Sequence, residues 1–146
     1  MKVLYVEDDT IFVTLANMTI KQRRPDIALV TAEDYLTAVK QLQTDGPFDL
    51  IVSDYQYPDG EGDLRAGGRK FLDLVSKSQP ETPFVYFSST PVNDVLRQTK
   101  GQIDIQHIFD KNIRITDVIG SAEKIFPALR RPENITTTTA FAAPKL

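Results

Sequence analysis

Cysteine and tryptophan are absent from the 146 residues of this sequence, and His107 is its only histidine. The lack of cysteine excludes a disulfide framework, a thiolate zinc site and a cysteine nucleophile. A single imidazole also excludes the repeated histidine ligands of a metalloprotease. No apolar run approaches the ~20 residues of a transmembrane helix, so we expect no association with a membrane.

An excess of basic residues is lacking as well. The sequence carries 17 Lys and Arg against 20 Asp and Glu, a formal net charge of −3. Because domains that bind nucleic acids usually concentrate positive charge, we expect no nucleic-acid partner. The sequence reaches the acidic residues Glu7, Asp8 and Asp9 after six positions, so we expect no signal peptide. We therefore expect a cytoplasmic protein whose length suits one domain.

Five short apolar runs alternate with amphipathic segments. They are rich in Val, Ile, Phe and Tyr and almost continuously apolar, which is typical of parallel strands covered by helices on both faces. His107 interrupts the fifth run, which we therefore predict to lie at an edge of the sheet. The five predicted strands are residues 2–6, 27–31, 48–53, 84–88 and 105–109.

Segments with helical spacing follow the five runs. Asp9 or Thr10 can cap the first helix, which ends before Pro25, and the second and fourth helices are predicted over residues 33–44 and 91–100. The apolar faces predicted for the core are Ile11, Leu15 and Met18 in the first helix, Leu36, Val39 and Leu42 in the second, Phe71, Leu72 and Val75 in the third, and Ile115, Val118, Ile119, Ala122, Ile125 and Phe126 in the fifth.

Five repeats of strand then helix predict the fold class. Short connections and right-handed crossovers give a flavodoxin-like, doubly wound α/β fold, with a five-stranded parallel sheet between two layers of helices. The apolar period ends near Arg130, so we predict one domain over residues 1–129 and a C-terminal tail over residues 130–146.

Acidic, hydroxyl and basic side chains follow the carboxyl ends of the predicted strands. Because sites in open parallel sheets form at that edge, we expect these side chains to meet. Crowded carboxylates raise one another's pKa, and Mg²⁺ relieves that conflict while accepting phosphate oxygens. The arrangement suits a carboxylate nucleophile that receives a phosphoryl group. The residues are Glu7, Asp8 and Asp9 after the first strand, Asp54 after the third, Ser88, Ser89 and Thr90 at the fourth, and Asp110 and Lys111 at the fifth.

Four segments resemble the receiver domain of two-component response regulators, in its stand-alone, chemotaxis-regulator-like form. KVLYVEDD resembles the opening strand with its acidic pair, and FDLIVSDYQYPDG resembles the phosphorylated strand with its loop proline and glycine. TPFVYFSST resembles the strand that ends in a switch hydroxyl, and IFDK resembles the last strand with its lysine. The resemblance covers residues 1–129.

The resemblance implies a metal site and a phosphoacceptor. Asp54 would accept the phosphoryl group. Glu7 and Asp8 would form the acidic pair that holds Mg²⁺ together with Asp54, and the backbone carbonyl of Gln56 would complete the protein ligands.

The resemblance also implies phosphate-binding residues. Ser88 would bond the phosphoryl group and carry the signal, with Ser89 as the small residue beside it. Lys111 would pair with a phosphoryl oxygen.

The function that follows is a phosphorylation-dependent switch or phosphorelay carrier. It would receive its phosphoryl group from a sensor histidine kinase or a histidine phosphotransfer protein and act on an unknown downstream protein by contact. It would be a monomer or a phosphorylation-dependent dimer, and no enzyme beyond its own phosphotransfer and autodephosphorylation.

Two alternatives belong to other classes. A haloacid dehalogenase-like phosphatase needs a second carboxylate two residues after the nucleophile, where this sequence has Gln56. A pseudo-receiver would only bind a partner, and the presence of Glu7, Asp8, Asp54 and Lys111 argues against it.

Three positions depart from the pattern of receivers. Ile108 stands where an aromatic residue is usual, so we do not expect an aromatic rotamer switch there. Asn112 follows the lysine in place of proline, so we expect a trans bond. Residues 55–70 form a loop longer than is usual between a strand and a helix. Two interpretations stay open: its glycines at 60, 62, 67 and 68 let it move, gate access to Asp54 and help to choose the partner kinase, or it is a solvated surface insertion without a role.

Overall fold

The structure is a computed structural model and describes residues 1–130, so the predicted tail lies outside the described residues except for Arg130. Five strands and five helices alternate along the chain, with short 3₁₀ turns at Ile105–His107 and Pro127–Arg130. The strands are β1 (Lys2–Val6), β2 (Ala28–Ala32), β3 (Leu50–Ser53), β4 (Phe84–Ser88) and β5 (Ile108–Asp110); the helices are α1 (Thr10–Arg23), α2 (Tyr35–Thr44), α3 (Gly67–Ser78), α4 (Val92–Gln98) and α5 (Ile115–Ile125).

The five strands form one parallel sheet in the order β2-β1-β3-β4-β5. This is the predicted doubly wound, flavodoxin-like fold. The strand order reverses at β1, which pairs with both β2 and β3. Val6 of β1 lies opposite Ser53 of β3, so the residues that follow them, Glu7 and Asp54, leave the sheet side by side. The register of the sheet thus places two of the predicted acidic residues together.

Two apolar layers enclose the sheet. On one face, side chains such as Leu4 and Ile51 pack with residues of α2, α3 and α4; on the other, Val3 and Val52 pack with residues of α1 and α5. β1, β3 and β4 are buried almost throughout, as expected of strands covered on both faces. None of the helices within residues 1–130 is long and apolar enough to cross a membrane.

The fifth strand begins later than predicted. Residues 105–107 form a 3₁₀ turn instead of strand, with the Asp104 side chain at its start accepting from the Gln106 amide at 3.4 Å. The His107 ring lies 4.5 Å from the Phe126 ring. β5 does lie at an edge of the sheet, as predicted, and β2 forms the other edge.

The first helix is rotated relative to its predicted face. Asp9 caps α1 as expected, accepting from the Ile11 amide at 2.9 Å. The predicted inward residues Ile11, Leu15 and Met18 are 67%, 52% and 53% exposed, so that prediction was wrong. The inward row lies one position later in the helix: Ala16 and Ile20 are buried in the layer that packs on the sheet, and half-buried Phe12 lies one turn before Ala16.

The third helix begins earlier than the loop prediction allowed. α3 starts at Gly67, so Gly67 and Gly68 are buried helical residues and do not give the loop freedom to move. A Cβ on Gly67 would lie 2.3 Å from the Tyr57 ring, and one on Gly68 would lie 2.0 Å from the Tyr55 carbonyl oxygen. Glycine is required at both positions because the helix approaches the preceding chain so closely.

The loop between β3 and α3 is folded around one buried carboxylate. Asp59 accepts from the amides of Glu61 at 2.7 Å and Asp63 at 3.0 Å, and from the Lys70 ammonium at 2.7 Å. Leu36, which was predicted for the core, is 48% exposed and lies beside Gly60 of this loop, so that prediction was wrong. Gly60 and Gly62 have positive φ angles of 77° and 114°, which suits the turns of this loop.

Loss of the Asp59 charge should loosen this loop. The Lys70 ammonium and the two amides lower the pKa of Asp59 to about 2, below its unfolded value of about 3.9. The contribution to stability is therefore complete above about pH 4 and is lost as the pH falls toward 2. We predict that Asp59→Asn lowers the free energy of unfolding in urea at pH 6, and that its deficit shrinks between about pH 4 and pH 2.

The matched control is Asp73→Asn, which removes an exposed ion pair to Lys77 within α3. Exposed pairs of this kind contribute little, so its deficit should be smaller. A deficit for Asp59→Asn that stays constant from pH 6 to pH 2 would contradict the assignment.

Candidate functional site

Side chains from three strand ends meet at the carboxyl edge of the sheet. Lys111, which follows β5, donates to Asp54 Oδ2 at 2.9 Å and also pairs with Glu7 Oε1. Its backbone amide donates to the Ser88 carbonyl at 3.2 Å, which joins the turn after β5 to the end of β4. The structure thus brings Glu7, Asp54 and Lys111 into direct contact, as the sequence predicts.

Three carboxylates form a cluster that fits a hard cation. One oxygen from each of Glu7, Asp8 and Asp54 lies within 4.8 Å of the others. Glu7 and Asp54 are buried whereas Asp8 is exposed, so the cluster opens to water on the Asp8 side. An all-oxygen donor set with an open side fits Mg²⁺, which keeps several waters. The Gln56 side chain is exposed in the following loop, and its carbonyl as a further ligand stays a prediction.

The charges of Glu7 and Lys111 are strongly influenced by burial. Burial raises the pKa of Glu7 to about 7; the Asp54 charge acts in the same direction, and Lys111 opposes both. Burial alone would lower the pKa of Lys111, but the carboxylates of Asp54 and Glu7 outweigh it and raise that pKa. The lysine therefore stays charged. The three carboxylates and this one lysine together keep an excess of negative charge, which a dication would offset.

Both oxygens of Glu7 have further donors. The Tyr5 hydroxyl donates to Oε1 at 3.2 Å, and the Asp9 amide donates to Oε2 at 3.1 Å. The sequence does not predict Tyr5 as a site residue, because its position in an apolar strand is typical of a core residue. The alternation of strand side chains could have indicated it, since residues 5 and 7 point to the same face.

Asp54 is held at the end of the central strand. Its Oδ1 accepts from the Tyr55 amide at 2.7 Å, while Lys111 holds Oδ2. The Tyr55 ring packs edge-on against Tyr86, with centroids 5.2 Å apart, and its hydroxyl donates to Gln98 of α4 at 2.8 Å. Tyr55 thus connects the acidic cluster to α4, a connection that the sequence does not predict.

The predicted serines lie next to the site without joining it. Ser88 is buried at the end of β4, and its Oγ accepts from the Thr90 amide at 3.2 Å. Within residues 1–130 the Ser88 hydroxyl makes no hydrogen bond to the side chain of Asp54 or Lys111, and Ser89 is exposed. Ile108 is a buried aliphatic residue opposite Tyr86. The peptide bond between Lys111 and Asn112 is trans, as predicted.

Solved structures with this fold include several receiver domains. The Francisella response regulator 1452 receiver domain is 21% identical, over 86% of this chain and 95% of that one, with a TM-score of 0.67. The chemotaxis response regulator CheY4 of Vibrio cholerae is 18% identical, over 85% and 97%, with a TM-score of 0.65. An uncharacterized protein from Neptuniibacter caesariensis is 24% identical, over 94% and 96%, with a TM-score of 0.69.

No protein-family model and no curated protein sequence matches the chain. The structural matches nevertheless agree with one another and span most of the chains compared. The chain therefore has the CheY-like fold of response regulator receiver domains, as the sequence resemblance implies.

Removal of one carboxylate should weaken cation binding. We predict that Asp8→Asn lowers the affinity for Mg²⁺, measured by titration calorimetry, by about tenfold or more, because even the partners of metal ligands are worth that much. Asp9→Asn is the matched control: Asp9 lies outside the cluster, and asparagine is an equally good helix cap. Equal Mg²⁺ affinities for the two variants would argue against this site.

Proposed function

We propose that this chain is a receiver domain that accepts a phosphoryl group on Asp54, with Mg²⁺, from a phosphohistidine of a sensor histidine kinase or a histidine phosphotransfer protein. Signalling would follow by contact with another protein. The observation that supports this most directly is the position of Asp54, at the end of the central strand, held by Lys111 within a cluster of three carboxylates.

The chemistry requires one nucleophile and several groups that neutralise charge. A carboxylate oxygen of Asp54 forms the new bond to phosphorus as the bond from phosphorus to the histidine nitrogen breaks, and the imidazole keeps that electron pair. Mg²⁺ held by Glu7, Asp8 and Asp54 would offset the charge on the phosphoryl oxygens. Lys111 lies against Asp54 already, and moving to a phosphoryl oxygen requires only a short displacement. Transfer of this kind depends on positioning and electrostatics more than on proton transfer.

The phosphatase alternative is disfavoured by a single residue. An aspartyl-phosphate hydrolase of the haloacid dehalogenase type needs an acid or base two residues after its nucleophile, and the Gln56 amide can be neither. The pseudo-receiver alternative is disfavoured by the contacts that Lys111 makes with Glu7 and Asp54, since a chain that only binds a partner has no need of them.

The three functions give different products with a small phosphodonor and Mg²⁺. We predict that the wild-type chain gains one phosphoryl group by intact mass, and that Asp54→Asn gains none because the nucleophile is lost. Release of phosphate in large excess over the chain, with no phosphorylated chain accumulating, would instead indicate a phosphatase, and an unchanged mass without phosphate release would indicate a pseudo-receiver. Labelling of Asp54→Asn at the wild-type level would contradict the choice of Asp54.

An exposed apolar patch supports a protein as the phosphodonor. Ile11, Leu15 and Met18 form a stripe on α1, which begins two residues after Asp8. Leu15 also borders the same cavity as Ile113, which is exposed on the turn after Lys111. A protein that brings a phosphohistidine to Asp54 must cover this edge of the sheet, so the patch is placed to contact it.

A negative charge introduced into the patch should slow phosphotransfer from protein donors more than from small phosphodonors. We predict that Leu15→Asp slows phosphotransfer from a phosphohistidine protein by about tenfold or more, as expected for an anchor lost from an interface. Transfer from a small phosphodonor should be slowed much less, because Leu15 shares a cavity with Lys111 but is not part of the acidic cluster.

Ile105→Asp is the matched control for that experiment. Ile105 is 54% exposed, close to the 52% of Leu15, but it precedes β5 at the opposite end of the sheet. Equal slowing of both variants with protein donors would refute the docking role of the patch.

A further inference from the structure

The ammonium group of Lys111 is enclosed by two carboxylates and one aromatic ring. Its side chain is only 6% exposed, although an ammonium group carries three N–H donors. Asp54 Oδ2 and Glu7 Oε1 accept two of them. The Nζ atom also lies 4.1 Å from the centre of the Phe12 ring, within the distance at which a cation is attracted to a ring face. The ring is therefore a third group against the ammonium, beside the two carboxylates.

Phe12 is fixed relative to the acidic residues by the start of α1. The Asp9 side chain caps this helix through the Ile11 amide, and the Asp9 amide donates to Glu7 Oε2 at 3.1 Å. The turn that holds Glu7 therefore also sets the direction of Phe12. The ring borders a cavity of about 270 Å³ that Lys111 itself also lines, together with mostly apolar residues such as Leu15.

A ring face is suited to a lysine that must change partner. The attraction comes from the ring quadrupole and has no single hydrogen-bond direction. Lys111 can therefore release Asp54 Oδ2 and move to a phosphoryl oxygen while it stays over the ring. A polar side chain at position 12 would instead compete for one of the N–H groups and would admit water.

We infer that Phe12 is a positioning residue for phosphoryl transfer: its ring holds Lys111 over Asp54 through a cation–π contact. This inference rests on the proposed function, because it concerns the reaction at Asp54. Phe12 itself contacts the lysine and acts through it.

The first experiment tests the contact without any reaction. In NMR spectra of the chain labelled at lysine, the εCH₂ signal of Lys111 should be displaced by the ring current of Phe12; the signal is assigned by its loss in Lys111→Met. Phe12→Leu and Phe12→Met should remove the displacement, and Phe12→Tyr should keep it.

Phe48→Leu is the matched control for the NMR experiment. Phe48 carries Lys2 over its ring, with Nζ 5.2 Å from the centroid, far from the acidic cluster. This variant should move the signal of Lys2 and leave that of Lys111 in place. A Lys111 signal that does not respond to Phe12→Leu would overturn the inference at the level of the contact.

The second experiment tests the role in transfer from a small phosphodonor at saturating Mg²⁺. A desolvated ring–cation contact corresponds to a rate effect of about two- to thirtyfold. Phe12→Leu and Phe12→Met should slow labelling by an amount in that range, with little change in the Mg²⁺ concentration at half-saturation, because the lysine is not a metal ligand. Phe12→Tyr should restore the wild-type rate, and Phe48→Leu should not change it.

The outcomes separate this inference from the proposed function. If all three variants at position 12 are equally slow, Phe12 serves only to pack α1, and the inference is overturned. Wild-type rates in Phe12→Leu, with the Lys111 signal displaced as expected, would also overturn it. A wild-type chain that takes up no phosphoryl group would refute the proposed function itself, and the kinetic role of Phe12 with it.

Discussion

Lys111 donates to carboxylates that follow two other strands, Glu7 after β1 and Asp54 after β3. It therefore joins β5, at the edge of the sheet, to the two strands at its centre. The three groups are largely removed from water, where charges interact more strongly than at a surface. Removal of one member of such a buried pair typically costs about 3–5 kcal/mol, because the remaining charge is left uncompensated. The contacts that arrange the site thus also hold one edge of the fold in place, and the sheet and its chemistry are difficult to change separately.

Much of the fold and the central part of the site follow from the sequence, because strand periodicity and the residues after each strand are local signals. β1 and β4 have their predicted bounds, and Glu7, Asp8, Asp54 and Lys111 meet because a parallel sheet brings its carboxyl ends to one edge.

The sequence alone does not predict which face of α1 packs on the sheet. Two apolar rows, one containing Ile11 and Leu15 and the other Phe12 and Ala16, have the same spacing of four residues, and only packing on the sheet decides between them. Gly67 and Gly68 read as a flexible loop because the contact that requires them comes from Tyr55 and Tyr57, earlier in the chain. Contacts of this kind depend on tertiary structure and leave no pattern in the local sequence.

Within residues 1–130 four tyrosines are buried in or directly after β1, β3 and β4, and each hydroxyl has a partner. Tyr57 bonds the Ser53 hydroxyl at 2.9 Å, and Tyr86 donates to the Gly68 carbonyl at 2.8 Å. Tyr5 donates to Glu7 and Tyr55 to Gln98. Buried tyrosine hydroxyls need such partners, and here the hydroxyls of Tyr86 and Tyr55 connect β4 and the turn after Asp54 to α3 and α4.

In a chain without tryptophan, the tyrosine rings dominate the near-ultraviolet absorbance and the intrinsic fluorescence. Because the Tyr5 hydroxyl bonds a carboxylate of the cluster directly, the protein carries its own chromophore at the point where charge would change, and we expect its optical spectrum to report on the cluster without any added dye.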